Sequence, residues 1–441
     1  MSHHEIDADT TSVFYAAPDL NGVARGKQIP GAHADKVLAG TARMPLSVLN
    51  VDLLGHDIED SPLVFETGDQ DGILQPTERG IVPMPWLEKS SALLPVSMFS
   101  EGGTPFSGDP RHALKSVMER YSSRGWNVVA ATELEFYLVD ASANELKPPR
   151  SLLSARRLSS GEILSLDALE EFSPFFSDLY EGCALMGIGA DAASSEGGPG
   201  QFEINLKHGD ALKIADDTWL FKMLVRGLAR KHGLSATFMA KPFADQPGNG
   251  LHVHFSVVDL DGKNVFDDGT NQGSNIMRHA VAGLLNAMAP HTAIFAPHSN
   301  SFTRLVPGSH APVGIAWGYE NRTTALRIPG GPNAARRIEH RVAGGDTNPY
   351  LLLAAILGAA MDGIETEKEP PKPVVGDAYS QKLEEVPNDW DAALDLFQEK
   401  TNESIFDPQL IDNFIRTKQQ EKRVFEDLDA TQQTAVYLSA L

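Results

Sequence analysis

One stretch constrains this chain more than any other: Val128 to Asp140, which reads VVAATELEFYLVD and carries Glu133 and Glu135 in its middle. Its valines, alanines and aromatic residues read as a buried strand. Side chains two apart on a strand point to the same face, so the two glutamates face one space. Paired carboxylates in an apolar strand are costly unless something neutralises them. A hard divalent cation such as Mg²⁺ or Mn²⁺ does so; a strand-end pair bridged to Lys or Arg is the plainer alternative.

Composition narrows the class. At 441 residues the chain can bury a large core, and two or three domains are the prior. A net charge of −22 argues against nucleic acid as a partner. The single cysteine, Cys183, excludes an intrachain disulfide and fits a reducing, cytoplasmic setting. No basic-then-apolar leader opens the sequence, and the apolar run Tyr350 to Met361 is too short to span a bilayer, so neither secretion nor a membrane is expected. His3 and His4 lie in a polar tail and receive no metal role.

Residues 13 to about 105 read as a small sheet-rich domain. Ser12 to Tyr15 leads into a tight turn at Asn21-Gly22, Leu46 to Leu54 reads as a strand, and Pro83 to Leu94 reads as loop. Gly26-Lys27 lacks phosphate-loop spacing, so Arg25 and Lys27 are treated as surface or interface residues. Asp109 and Pro110 cap a helix that opens a larger mixed domain. Leu166 to Met186 reads as helical with a break near Pro174, and Glu365 to Pro373 as a loop.

Three further segments carry chemistry. Ser195 to Leu206 puts Glu196 before a glycine-rich turn and Glu203 with Asn205 on one face of a following strand. From Leu251 the residues alternate, setting His252, His254 and Ser256 opposite Leu251, Val253 and Phe255. Neither a zinc HExxH helix nor a cysteine cluster is present. Arg337, Glu339 and Arg341 share one strand face, with Arg304, Arg322 and Arg327 upstream. Arginine forks suit carboxylates and phosphates, though structural ion pairs use the same residues. Asp346 to Pro349 caps the apolar helix that follows.

As a set, ELEF (133–136), GPGQFEINL (198–206), ATFMAKP (236–242), GNGLHVHFS (248–256), RLVPG (304–308), NRTTALRIP (321–329) and RRIEHR (336–341) resemble the glutamine synthetase family, nearest its γ-glutamylpolyamine (γ-glutamylputrescine) synthetase branch. The resemblance implies an α+β fold: an N-terminal β-grasp domain over 1–105 and a catalytic domain over 106–441 with a curved antiparallel sheet. It implies a homo-oligomer, a dodecamer of two hexameric rings, with a neighbour completing each site. Its substrates would be ATP, glutamate and an amine, with about two to three Mg²⁺ or Mn²⁺ ions per site.

Carried over by motif, Glu135, Glu196 and Glu203 would hold one cation, and Glu133, His252 and Glu339 a second. His254, Ser256 and Arg337 would serve ATP, with Arg322 and Arg327 on its phosphates. Arg304, Arg341 and Gly248 would bind glutamate, and Asp52 of a neighbouring subunit would lie near the amine. His310 stands where ammonia-using members carry a flap glutamate, which leaves room for an amine larger than ammonia. Ala334 replaces a lysine common in the family, and no counterpart of the adenylylated Asn-Leu-Tyr segment is found. Putrescine or another polyamine is the expected acceptor; ammonia, or a monoamine such as ethanolamine or an alkylamine, is the alternative. A retained but inactive fold and a metal-dependent hydrolase are the readings from other classes.

Overall fold

The computed structural model describes residues 6–7, 9–140, 146–401 and 404–441; His3 and His4 lie outside them. The central strand is Trp126–Val139, fourteen residues long, with alternating burial at first and continuous burial towards its end. It forms the axis of a nine-stranded sheet. Leu251–Asp259 pairs with it antiparallel on one side, placing His252 opposite Glu133. Gln201–Leu206 pairs antiparallel on the other, placing Glu203 opposite Glu135 and Asn205 opposite Glu133. The flanks are completed by Ile338–His340 beyond Leu251–Asp259, and by Ala190–Ser195 beyond Gln201–Leu206.

Helices cover this sheet. Pro349–Glu365 is buried along nearly its whole length, and Asn348 caps it by accepting from the Tyr350 and Leu351 amides. It crosses Asn275–Ala287 at close range: a Cβ on Gly283 would sit 2.0 Å from the Ala359 carbonyl oxygen. Glycine is required there by backbone approach. Among the described residues, no helix is long and apolar enough to cross a membrane.

A six-stranded sheet forms from residues before 100, ordered Ala24–Pro30, Ser12–Pro18, Ser91–Phe99, Asp71–Pro76, Ala42–Pro45, with Val82–Pro83 beside Ser91–Phe99. It packs its own cluster, including Val13, Leu74, Leu94 and Met98. The chain is therefore α+β, with two sheets of unequal size.

Side-chain chemistry sets the backbone locally at two expected positions. Asp109 caps Pro110–Ser122 by accepting from the Arg111 amide at 2.9 Å. The expected break near Pro174 separates Leu166–Glu170 from Ser173–Met186. Two readings need correction. Leu46–Asn50 is a 3₁₀ turn, not a strand. Its buried polar residues are held by other segments, Ser47 by Asp69 at 2.6 Å and Asn50 by the Gly108 carbonyl at 3.1 Å. The segment Pro83 to Leu94 is not all loop, because Ser91–Phe99 pairs with three neighbours and is almost wholly buried.

Candidate active site

The alternation read in the sequence brings the acids and imidazoles into one place. Glu133 sits between two histidines of the neighbouring strand, 3.0 Å from His254 Nε2 and 3.2 Å from His252 Nδ1. Burial alone would push its carboxyl up, but the hydrogen bonds and charge of both histidines outweigh that and hold it well below the usual range. Glu339 is 1% exposed, with Arg327 at 2.8 Å on one oxygen and Arg341 on the other. Burial raises its carboxyl; the Arg341 guanidinium first, then His254, His252 and Arg327, bring it below normal.

Glu196 and Glu203 show the opposite effect. Burial, followed by the charge of Glu135, pushes Glu196 up to about 7. Burial, then Glu133, Glu135 and Glu196 in turn, pushes Glu203 up to about 9. Carboxylates that perturb one another this strongly share one low-dielectric space.

Divalent cations fit this donor set. Ligand atoms of Glu133, His254 and Glu339 all lie within 4.8 Å of one another, as do those of Glu133, Glu203 and His252. Carboxylate-rich clusters with imidazole suit hard cations, whose charge would relieve the repulsion at Glu196 and Glu203. The grouping differs from the motif carry-over: His254 joins Glu133 and Glu339, whereas Glu135 accepts from the Gly250 amide at 2.7 Å.

Guanidinium groups surround the acids. Arg304, at the end of the helix Ser299–Arg304, is buried and donates to the Val342 carbonyl at 2.7 Å. Burial pulls its pKa down, against the charge of Glu135 and Asp346. The loop Gly248 to Gly250 lies directly across it: a Cβ on Gly248 would approach Arg304 Cγ to 2.8 Å, and one on Gly250 would approach Arg304 Nη2 to 3.0 Å. The Nε atoms of Arg327 and Arg341 are buried without a hydrogen-bond partner among the described residues. Buried orphan donors are rare and fit sites that receive an acceptor from a ligand. Arg337 Nε reaches His254 Nδ1 at 3.4 Å. Arg322 is exposed, yet its charge is felt at Glu196.

A cleft of 720 Å³ opens beside these groups, lined by Glu133, His254, Ser256 and Arg337. Ala334 lines it too. Lys207 and His208 also line it, and the sequence reading passed over both. Lys207 continues the two-residue period of Glu203 and Asn205, a signal that was available. Tyr379 was not anticipated either; it is close enough to Arg341 and Arg304 for their charges to act on its phenol, and no local pattern marks it.

Two expected residues lie apart from this cluster. Asp52 is 1% exposed and accepts from the His56 amide at 2.8 Å and Gln420 Nε2 at 2.9 Å. His310 is exposed, with left-handed backbone (φ 64°), in the turn that follows Arg304.

A sheet whose central strands converge carboxylates, imidazoles and guanidiniums on a cleft is the frame of a metal-dependent enzyme acting on anionic substrates. Residues 107–437 match the family model for the glutamine synthetase catalytic domain, and the chain belongs to the glutamine synthetase family. It is 37% identical over 378 residues to the gamma-glutamylputrescine synthetase PuuA of Escherichia coli (strain K12), covering 85% of this chain and 80% of that protein. It is 35% identical over 389 residues to the glutamate–isopropylamine ligase of a Pseudomonas species, covering 86% and 82%. The solved structure of a GmaS/ADP complex superposes with a TM-score of 0.83 at 29% identity, over 98% of this chain and 97% of that one.

Proposed function

We propose that the protein joins the γ-carboxyl of glutamate to a primary amine at the expense of ATP, with putrescine or another polyamine as the acceptor. The observation that carries this reading is the carboxylate and imidazole cluster set against guanidiniums that retain unused buried donors. The similarity to enzymes named for putrescine and isopropylamine supports an amine larger than ammonia.

A carboxylate is a poor electrophile. In the proposed reaction a γ-carboxylate oxygen of glutamate attacks the γ-phosphorus of ATP and ADP leaves. The neutral amine then attacks the acyl carbon of γ-glutamyl phosphate, inorganic phosphate departs, and the amine proton passes to solvent or a nearby base. Glu133, Glu135, Glu196, Glu203, His252 and Glu339, with His254 within reach, would hold about two to three Mg²⁺ or Mn²⁺ ions, which would supply charge neutralisation to the transferred phosphoryl group. Arg322 and Arg327 would take the phosphates, and His254, Ser256 and Arg337 the nucleotide in their cleft. Arg304, Arg341 and Gly248 would fix glutamate. His310 would stand at the acceptor in place of an acid, and exclusion of water would protect the acyl phosphate.

The proposal extends to the assembly: a dodecamer in the cytoplasm, built from a β-grasp domain at 1–105 and a catalytic domain at 106–441. An amine panel with ADP release as readout tests the acceptor. Putrescine or spermidine should support at least about tenfold more turnover than ammonia, the discrimination that one well-used cationic contact supplies. Strong activity with ammonia alone would move the enzyme to glutamine synthesis; strong activity with ethanolamine or an alkylamine alone would make it a monoamine ligase.

A further inference from the structure

Away from the carboxylates, the helix Ala211–Lys231 carries three cations four residues apart: Lys222, Arg226 and Arg230. That spacing stacks them along one face, where like charges repel. Burial first, and then Arg230, pull Arg226 down to about 10; burial pulls Lys222 down to about 8, against the charge of Asp346 and with that of Arg226. Lys231, the next residue after them, is neutralised by Asp178 at 2.9 Å.

These three are not neutralised in that way. Lys222 Nζ donates to the Thr347 carbonyl at 2.9 Å and lies 5.4 Å from the Phe238 ring centre. Arg226 donates to the Ala440 carbonyl at 2.8 Å and to that of Ser439. Arg230 is exposed and has neither hydrogen bond nor ion pair among the described residues. On a chain of net charge −22, a row of cations with no carboxylate at ion-pair distance among the described residues is unusual.

Two clefts meet at these arginines, and Arg226, Arg230 and Ser439 line both. The larger, of 740 Å³, lies between residues 242–245 and the helix Ala430–Ala440. The hydroxyl-bearing residues Ser235, Thr431 and Thr434 line it as well, and Asp245 stands on its wall. The smaller, of 340 Å³, has no acidic side chain in its lining.

We propose that the larger cleft is a second ligand site, which takes a small oxyanion on Arg230 and Arg226 with help from the hydroxyls of Ser235, Thr431 and Thr434. Its volume falls among small-molecule sites, roughly 300–1,000 Å³. A guanidinium fork holds a carboxylate or a phosphate in two places at once. An occupant here would touch the loop that serves the active site. Phe243 on the cleft wall packs edge-on against Tyr137 at 5.4 Å, in the same strand as Glu133 and Glu135. Tyr137 in turn donates to the Pro247 carbonyl at 2.8 Å, next to Gly248. The site stands independently of the catalytic reading, because it uses different residues.

The test is calorimetric titration of the full chain with sodium succinate and, separately, with inorganic phosphate. Wild type, Arg230→Gln and Arg304→Gln are compared. Arg230 is exposed, so its replacement leaves the core untouched. The expected result is that one probe binds, that Arg230→Gln weakens it roughly tenfold or more, and that Arg304→Gln does not. A succinate response identifies a carboxylate ligand; a phosphate response identifies a phosphorylated one. Equal binding by wild type and Arg230→Gln, a loss confined to Arg304→Gln, or no binding of either probe overturns the proposal. A changed oligomeric state of Arg230→Gln on a sizing column also overturns it, since a neighbouring copy would then fill the cleft.

Discussion

The two sheets of this protein handle charge in opposite ways. The six-stranded sheet packs Val13, Leu74, Leu94 and Met98 into an ordinary apolar core. The nine-stranded sheet places Glu133, Glu203, Glu339, His252 and His254 at its middle, all three carboxyls displaced by burial and several neighbours at once, Glu203 upwards and Glu133 and Glu339 downwards. Apolar burial alone explains the first. The second carries a standing electrostatic cost, and that cost makes physical sense where ligands offset it.

The comparison breaks most sharply at Glu339. Replacing it by alanine should lower turnover at least ~100-fold, the scale seen when the support of a metal site is lost. Circular dichroism should still show a folded protein. Survival of activity would mean that the cluster is not the catalytic centre.

A chelator sharpens it next. In cation-free protein Glu196 and Glu203 have carboxyls raised to about 7 and about 9. The folded state therefore holds more protons than the unfolded state between roughly pH 4.5 and 9. Stability from these two groups is present below the ordinary carboxyl range and is lost as pH rises through the folded values. Melting temperature measured in EDTA should fall from pH 6 to pH 9, and added Mg²⁺ should flatten the fall. A profile indifferent to Mg²⁺ would contradict cation binding here.

The mildest contrast lies in the other sheet. Leu74 is fully buried in the small core, and Leu74→Ala should cost about 2–5 kcal/mol of stability in a denaturant titration. The remaining folded enzyme should keep its specific activity on saturating substrates. A selective loss of turnover with no loss of stability would show that the small sheet bears on the chemistry directly.

Much of the site was legible because strand periodicity is a local property. Two acids at 133 and 135, two imidazoles at 252 and 254, and acids at 196 and 203 around a glycine turn could be read as shared faces without knowing which strands pair. The Asp109 cap was legible for the same reason: its partner is the amide two residues on. Leu46 to Asn50 misled because the bonds that bend it come from Asp69 and Gly108, distant in sequence. Tyr379 escaped because its neighbours, Arg304 and Arg341, are brought to it only by folding.

The sequence by itself determined the chemistry of the donors, the face each one occupies on its strand, and the family to which the motifs point. Only the tertiary structure decided that His254 stands with Glu133 and Glu339, that Asp52 is engaged by Gln420, and that Arg226 and Arg230 line one cleft. The reason is physical. Periodicity is fixed by backbone geometry within a few residues, whereas partners, burial and the fields that shift a carboxyl depend on register between strands far apart in the chain.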